Sequence, residues 1–168
     1  ENTRLGDAIA AADLVIPDGI GVVWALRRQG VVVPRSPGIE LARSLLAYAE
    51  AHDWKVALVG ATPQVMDRLR QLLKQDLPAL RLVMSSHGYQ LQDAWPGLKA
   101  KLRVLHPDLV LVALGVPRKE TWIPRVRRAC PGLWMGVGGS FYVWAGMKKR
   151  APQWMCQFGI EWLYRLCP

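Results

Sequence analysis

Residues 55–73 read KVALVGATPQVMDRLRQLL. A continuous apolar run, Val56 to Val59, ends at Gly60, and Thr62-Pro63 follows as a helix N-cap and a first-turn proline. Val65, Met66, Leu69, Leu72 and Leu73 then recur at helical spacing. A strand that is apolar without alternation is covered on both faces, as in a parallel sheet. One β-turn-α unit of this kind sets the expectation for the whole chain.

The same alternation recurs along the rest of the chain. Apolar runs stand at DLVIPDG (13–19), RLVMSS (81–86), DLVLVALG (108–115) and LWMGVGG (133–139). Helical patterns separate them: residues 37–52 with Ile39, Leu41, Leu45, Leu46 and Ala49, a segment marked by Leu98, Leu102 and Leu105, and residues 118–129. Five runs alternating with helices predict a single α/β domain, with a Rossmann-like, open, mostly parallel sheet and helices on both faces. We expect residues 1–150 to form this core. Residues 151–168 are expected to be an amphipathic helix, on the stripe Met155, Phe158, Trp162 and Leu166 with Trp154 beside it. That stripe suits packing onto the core. With Lys148, Lys149 and Arg150 before it, it equally suits an anionic membrane surface.

Composition narrows the function classes. The 168 residues are 51% hydrophobic and 21% charged, which fits a folded domain, and no apolar run reaches the roughly 20 residues of a membrane span. Cys130, Cys156 and Cys167 are odd in number and show no C-x-x-C spacing. Together with the scattered His52, His87 and His106 they point to a reducing compartment and no metal cage. The net charge of +9 is concentrated: residues 99–150 hold eleven Lys/Arg against Asp108 and Glu120, so the remainder balances. Such an excess suits nucleotide phosphates, a diphosphate or anionic lipid, although a solvated basic face has the same composition. A nucleic-acid module is disfavoured, since neither a helix-turn-helix pattern nor an RNP-like strand is present.

The candidate ligand edge lies at the strand ends, where four of the runs meet glycine: Gly19 and Gly21, Gly60, Gly115, and Gly136 with Gly138 and Gly139. Ligands of open parallel sheets bind outside the carboxyl ends of the strands. Neither G-x-G-x-x-G nor G-x-x-x-x-G-K-[ST] occurs, which disfavours a dinucleotide enzyme and a P-loop ATPase. Asp18, between Pro17 and Gly19, is the candidate general base; Asp-Gly is often only a turn, but apolar flanks are expected to desolvate the carboxylate in part. In GVPRKETW (115–122), Pro117 opens a helix with Arg118 and Lys119 in its first turn. Cations there oppose the helix dipole unless an anion is bound, whereas Glu120 suits the dipole. Tyr89, in SHGYQ (86–90), is a base-stacking or a rim tyrosine.

Taken together, LVIPDGIGVVWA (14–25), RSPG (35–38), GATPQV (60–65), HGY (87–89), PDLVLVALGVPRKETWI (107–123) and the final RAPQWM...GIEWLYRL resemble the WecG/TagA/CpsF family of bacterial glycosyltransferases, in order along nearly the whole chain. The resemblance implies an inverting transferase that needs no metal or other cofactor. It moves N-acetylmannosamine or a related sugar from a UDP-sugar donor to an undecaprenyl-diphosphate-linked acceptor, peripherally at the cytoplasmic membrane face, in cell-surface polysaccharide synthesis. It places the proposed base on Asp18, the family's R-x-x-G arginine, expected as a catalytic residue holding diphosphate charge, on Arg35 and the nucleotide-side tyrosine on Tyr89. Gly19, Gly21, Gly60, Gly115, Pro117, Lys119, Glu120, Gly138, Gly139 and Tyr142 complete the expected donor site. Expected partners are the donor, the polyprenyl-linked acceptor and an anionic membrane surface, with a homo-oligomer left open.

Three departures stand out. Lys119 replaces a family glutamine and Tyr142 a family aspartate. The chain starts after the family's first strand and ends before its arginine-rich tail. A non-catalytic nucleotide- or lipid-binding domain of the same fold is therefore the alternative reading.

Overall fold

The computed structural model describes residues 2–88, 91–115, 118–152, 155 and 161–164. Its centre is a four-stranded, all-parallel sheet of β1 (Lys55–Gly60), β2 (Arg81–Ser86), β3 (Leu109–Ala113) and β4 (Leu133–Gly136), in the order β2-β1-β3-β4. The described helices are α1 (Asn2–Ala10), α2 (Ile20–Arg28), α3 (Gly38–Ala51), α4 (Pro63–Asp76), α5 (Leu91–Leu105), α6 (Arg118–Val126), α7 (Ser140–Trp144) and α8 (Glu161–Tyr164).

Strand pleating sorts the core into two layers. Val56 and Leu58 of β1 and Leu109 and Leu111 of β3 pack with α3, α4 and α7, through Leu46, Leu69 and Phe141. Their neighbours Ala57, Val59, Val110 and Val112 face the other way, onto Leu102 of α5 and Trp122 and Val126 of α6. Because β1 and β3 are central and covered twice, both read as unbroken apolar runs.

The predicted start of α4 is made as expected: the Thr62 hydroxyl accepts a hydrogen bond from the Val65 amide at 3.3 Å, and Pro63 occupies the first turn. At the opposite end of the strands, Asp108 fixes the register. Its carboxylate accepts from the Lys55 amide, and its own amide donates to the Lys55 carbonyl, both at 2.8 Å.

The expected strand at 13–19 does not form. The segment is unpaired, with Leu14 77% and Val15 61% exposed. Pro17 offers no amide to a ladder, and the chain instead bonds to the 35–36 loop, where the Ser36 amide donates to the Pro17 carbonyl at 3.0 Å. Gly19 and Gly21 therefore do not form a strand-tip loop: Gly19 caps α2, and Gly21 lies inside it. No residue of α2 is buried; Trp24 stands out from it with the Arg28 guanidinium 4.5 Å from its ring centroid. The N-terminal segment is tied down by α1 against α6 and by an Arg127–Asp13 ion pair.

Most of the expected C-terminal helix, including Trp154, Phe158 and Leu166, lies outside the described residues. Within them, Met155 is buried and Glu161–Tyr164 are helical. Cys130 is a buried free thiol whose burial pushes its pKa up; Cys156 and Cys167 lie outside the described residues. Among the described residues, no helix is long and apolar enough to cross a membrane.

Candidate active site

A cleft of about 590 Å³ opens beyond the carboxyl end of β4. It is lined by Asp18 and the start of α3 (Pro37, Gly38 and Ile39), by Gly136 to Ser140 with Lys119, and by Lys148, Lys149 and Arg150 with Glu161 and Tyr164 of α8. A smaller apolar slot of about 190 Å³ between α3 and α4 carries only the Arg43–Asp76 ion pair, 3.4 Å, among its lining charges.

The glycines expected to line one ligand edge divide into different roles. At Gly138 and Gly139 an added Cβ would meet nothing within 4 Å, so their missing side chains leave open volume in the cleft. At Gly60 (φ +121°) the same atom would fall 2.5 Å from the Ala113 carbonyl carbon and oxygen, and Gly88 crosses close above it. The tip of β1 is closed by the protein's own backbone. Gly60 is a packing glycine rather than a phosphate contact, and Gly115, Gly19 and Gly21 do not line the cleft either.

Asp18 is placed by its backbone. Arg35 Nε donates to the Asp18 carbonyl oxygen at 2.7 Å, and Asp18 Oδ2 would lie 3.5 Å from a Cβ at Gly38. The carboxylate thus rests over the first turn of α3, where the helix dipole favours negative charge. It is exposed, not partly desolvated as expected, because Leu14 and Val15 turn away to solvent.

Arg35 itself does not line the cleft. Its guanidinium meets Glu161 Oε1 at 3.2 Å; Glu161 also lies 3.8 Å from Arg150, which pairs with Glu40 of α3 at 2.6 Å. This network stitches the 35–36 loop, α8, the 148–150 turn and α3 around the cleft. Glu161 carried no role in the sequence reading, although it sits in the GIEWLYRL motif. Its meaning depends on partners distant in the chain.

Lys119 lies across Gly136: an added Cβ there would meet Lys119 Cδ at 3.0 Å and Cε at 3.1 Å. Its ammonium pairs with Glu120, and both side chains are largely buried. Glu120 Oε2 is buried with no hydrogen-bond partner among the described residues. Tyr142, expected near a nucleotide, packs against the core on the α3–α4 side and does not line the cleft. Its backbone carbonyl has a task instead, accepting from the Met147 and Lys148 amides at 2.9 and 3.0 Å. Tyr89 and Pro117 lie outside the described residues.

A parallel α/β sheet with a cation- and glycine-lined cleft at a strand end, with Asp18 and Glu161 among its lining, is the arrangement by which α/β proteins bind ligands. The model of the "Glycosyl transferase WecG/TagA/CpsF family" matches residues 1–168, and the chain belongs to that family. It is similar to the N-acetylglucosaminyldiphosphoundecaprenol N-acetyl-beta-D-mannosaminyltransferase of Bacillus spizizenii, 35% identical over 99% of this chain and 65% of that protein. Proteins of the same name from Bacillus subtilis and Staphylococcus aureus are 35% and 36% identical over 95% of this chain. The chain spans just under two thirds of the length of these curated relatives.

Proposed function

We propose that the chain is the catalytic core of an N-acetylmannosaminyltransferase that uses a UDP-sugar donor and a polyprenyl-diphosphate-linked acceptor. The observation that carries this reading is a shared cleft. Asp18, Lys119 and the open backbone at Gly138–Gly139 line one cavity, whose volume suits a ligand of nucleotide-sugar size.

In this reading the reaction is one displacement with inversion. The Asp18 carboxylate takes the proton of the acceptor hydroxyl, whose oxygen attacks the anomeric carbon from the face opposite UDP. The bond from that carbon to the diphosphate oxygen breaks, and the departing charge is received by Lys119 and the backbone of residues 136–139. The sequence carries no D-x-D pair, so these groups supply the stabilisation in a metal-independent mechanism. Arg35, expected on the diphosphate, acts here as a positioning residue behind Asp18. A lipid-linked acceptor suits peripheral action at a membrane face.

The test is transfer from a panel of UDP-sugars to a lipid-linked N-acetylglucosamine diphosphate. Asp18→Ala abolishes transfer, a loss of roughly 10²–10⁴-fold for a general base, while UDP affinity stays within about twofold. Undiminished transfer by that variant removes Asp18 as base. A wild-type chain that binds UDP but neither transfers nor hydrolyses the donor is a binding domain instead.

A further inference from the structure

We infer that the pole of the sheet opposite the cleft is a docking surface for an acidic segment of another protein, formed by Lys101 and Arg103 of α5, Arg125 of α6 and Arg128 of the turn that follows α6.

The topology brings these four cations together. Parallel strands all start at one edge of the sheet, so Lys55, Arg81, Leu109 and Leu133 mark the pole opposite the cleft. Helix α5 ends at Leu105, shortly before β3, and α6 continues into a 3-10 turn (Arg127–Ala129) that ends shortly before β4. Both helices therefore finish at that pole, and both pack on the same layer of the core. They meet there: Cys130 Sγ lies 3.5 Å from the Leu102 carbonyl, which sets Lys101 and Arg103, on either side of Leu102, beside the turn that carries Arg128.

The second observation is charge. All four side chains are exposed. None has a carboxylate partner among the described residues, whereas Arg43, Arg81, Arg127 and Arg150 each have one. The acids of residues 99–130 are Asp108 and Glu120. Both are committed, Asp108 to the Lys55 amide and Glu120 to Lys119. The helix dipoles favour cations at Arg103 and Arg125, in the last turns of α5 and α6, but not at Lys101. Like charges gathered without counter-charges repel, and an anionic partner relieves that repulsion. Val104, 80% exposed next to Arg103, adds apolar surface, and arginine is among the residues enriched at protein interfaces.

Position selects the partner. Strand β3 alone spans roughly 16 Å at about 3.3 Å per residue, so a bilayer laid on this pole would hold the cleft away from the lipid. A protein docked here leaves the cleft open to both substrates. The reading of the cleft as a site for a lipid-linked acceptor puts the membrane at the other pole, and the choice of a protein over a bilayer rests on that reading.

The test is direct binding, which does not depend on turnover. A fluorescent peptide of Glu-Glu-Leu repeats is titrated into the wild-type chain, Lys101→Glu/Arg103→Glu/Arg128→Glu and the neutral Lys101→Gln/Arg103→Gln/Arg128→Gln. Arg68→Glu/Arg70→Glu/Lys74→Glu makes an equal charge change on the exposed face of α4. A single-stranded oligonucleotide and phosphatidylglycerol vesicles are titrated in parallel, and urea midpoints report whether each variant folds. Expected is peptide binding by the wild type, a loss of about tenfold or more in the Glu triple at α5 and α6, and a smaller loss in the Gln triple. The α4 triple is expected to stay within about threefold of the wild type. The Gln triple decides the outcome should the charge reversals unfold the chain. A wild type that does not bind the peptide overturns the inference, as does an equal loss in the α4 triple, which would assign binding to net charge alone. Tighter binding of the oligonucleotide or the vesicles than of the peptide, lost through the same residues, also overturns it. Sugar transfer is assayed separately: a chain that binds the peptide yet transfers no sugar removes the functional reading and leaves the docking surface standing.

Discussion

The Arg35 side chain holds Asp18 by its main chain: Nε donates to the Asp18 carbonyl at 2.7 Å, while the far end of the guanidinium meets Glu161. A carboxylate on an unpaired segment is thereby fixed over the cleft by a residue that does not enter it. Arg35→Lys keeps the charge but replaces the fork with a single ammonium. Expected is a 10–100-fold drop in kcat, matching roughly 1.5–3 kcal/mol for a charge-assisted hydrogen bond, with donor KM near that of the wild type. Steady-state kinetics on the Lys and Ala variants checks this; a KM effect with kcat unchanged returns Arg35 to direct substrate binding.

Gly136 is the seat of Lys119. An alanine methyl would press on Lys119 Cδ and Cε, the flexible part of that side chain, so the lysine moves and the fold stays. Gly136→Ala is expected to change stability by no more than about 1 kcal/mol and to weaken UDP binding about as much as Lys119→Ala does. Denaturant melts alongside UDP titrations separate the two effects.

At Gly60 the outcome is opposite. The positive φ and the Ala113 backbone 2.5 Å from the added atom leave nothing flexible to yield. Gly60→Ala is expected to cost roughly 2–4 kcal/mol through strain and overpacking at the centre of the sheet. A midpoint shift in urea measures it. An unchanged midpoint would show that the β1 tip is looser than its packing implies.

Cys130 lies fully buried, with its Sγ 3.5 Å from the Leu102 carbonyl. Burial pushes its pKa up, so the reactive thiolate is disfavoured as well as inaccessible. Iodoacetamide at pH 8, followed by peptide mass mapping, is expected to leave Cys130 unlabelled in the native chain and labelled in urea. Rapid native labelling would mean that the layer between α5 and α6 opens readily.

Burial patterns are local, and they were legible. The runs at 55–60, 81–86, 109–113 and 133–136 became strands, and the stripe from Val65 to Leu73 became the buried face of α4. The run at 13–19 failed because apolar composition says only that a segment could pair; Pro17 and the bonds to residues 35–36 decided that it does not. The short helix α7 and the exposed α2 carried no clear period and were missed for that reason.

Residue order and periodicity made the alternation of strands and helices legible, with a sheet covered on both faces, and the resemblance of its motifs pointed to the family. Which strand tip is open was settled by packing between distant parts of the chain. Gly60 and Gly138 are the same residue type after the same kind of strand, yet one is filled by the Ala113 backbone and the other faces the cleft. The places of Arg35 behind Asp18 and of Tyr142 in the core were settled there too. The reason is physical: a side chain's role depends on which groups reach it from distant parts of the chain, and no local pattern encodes those approaches.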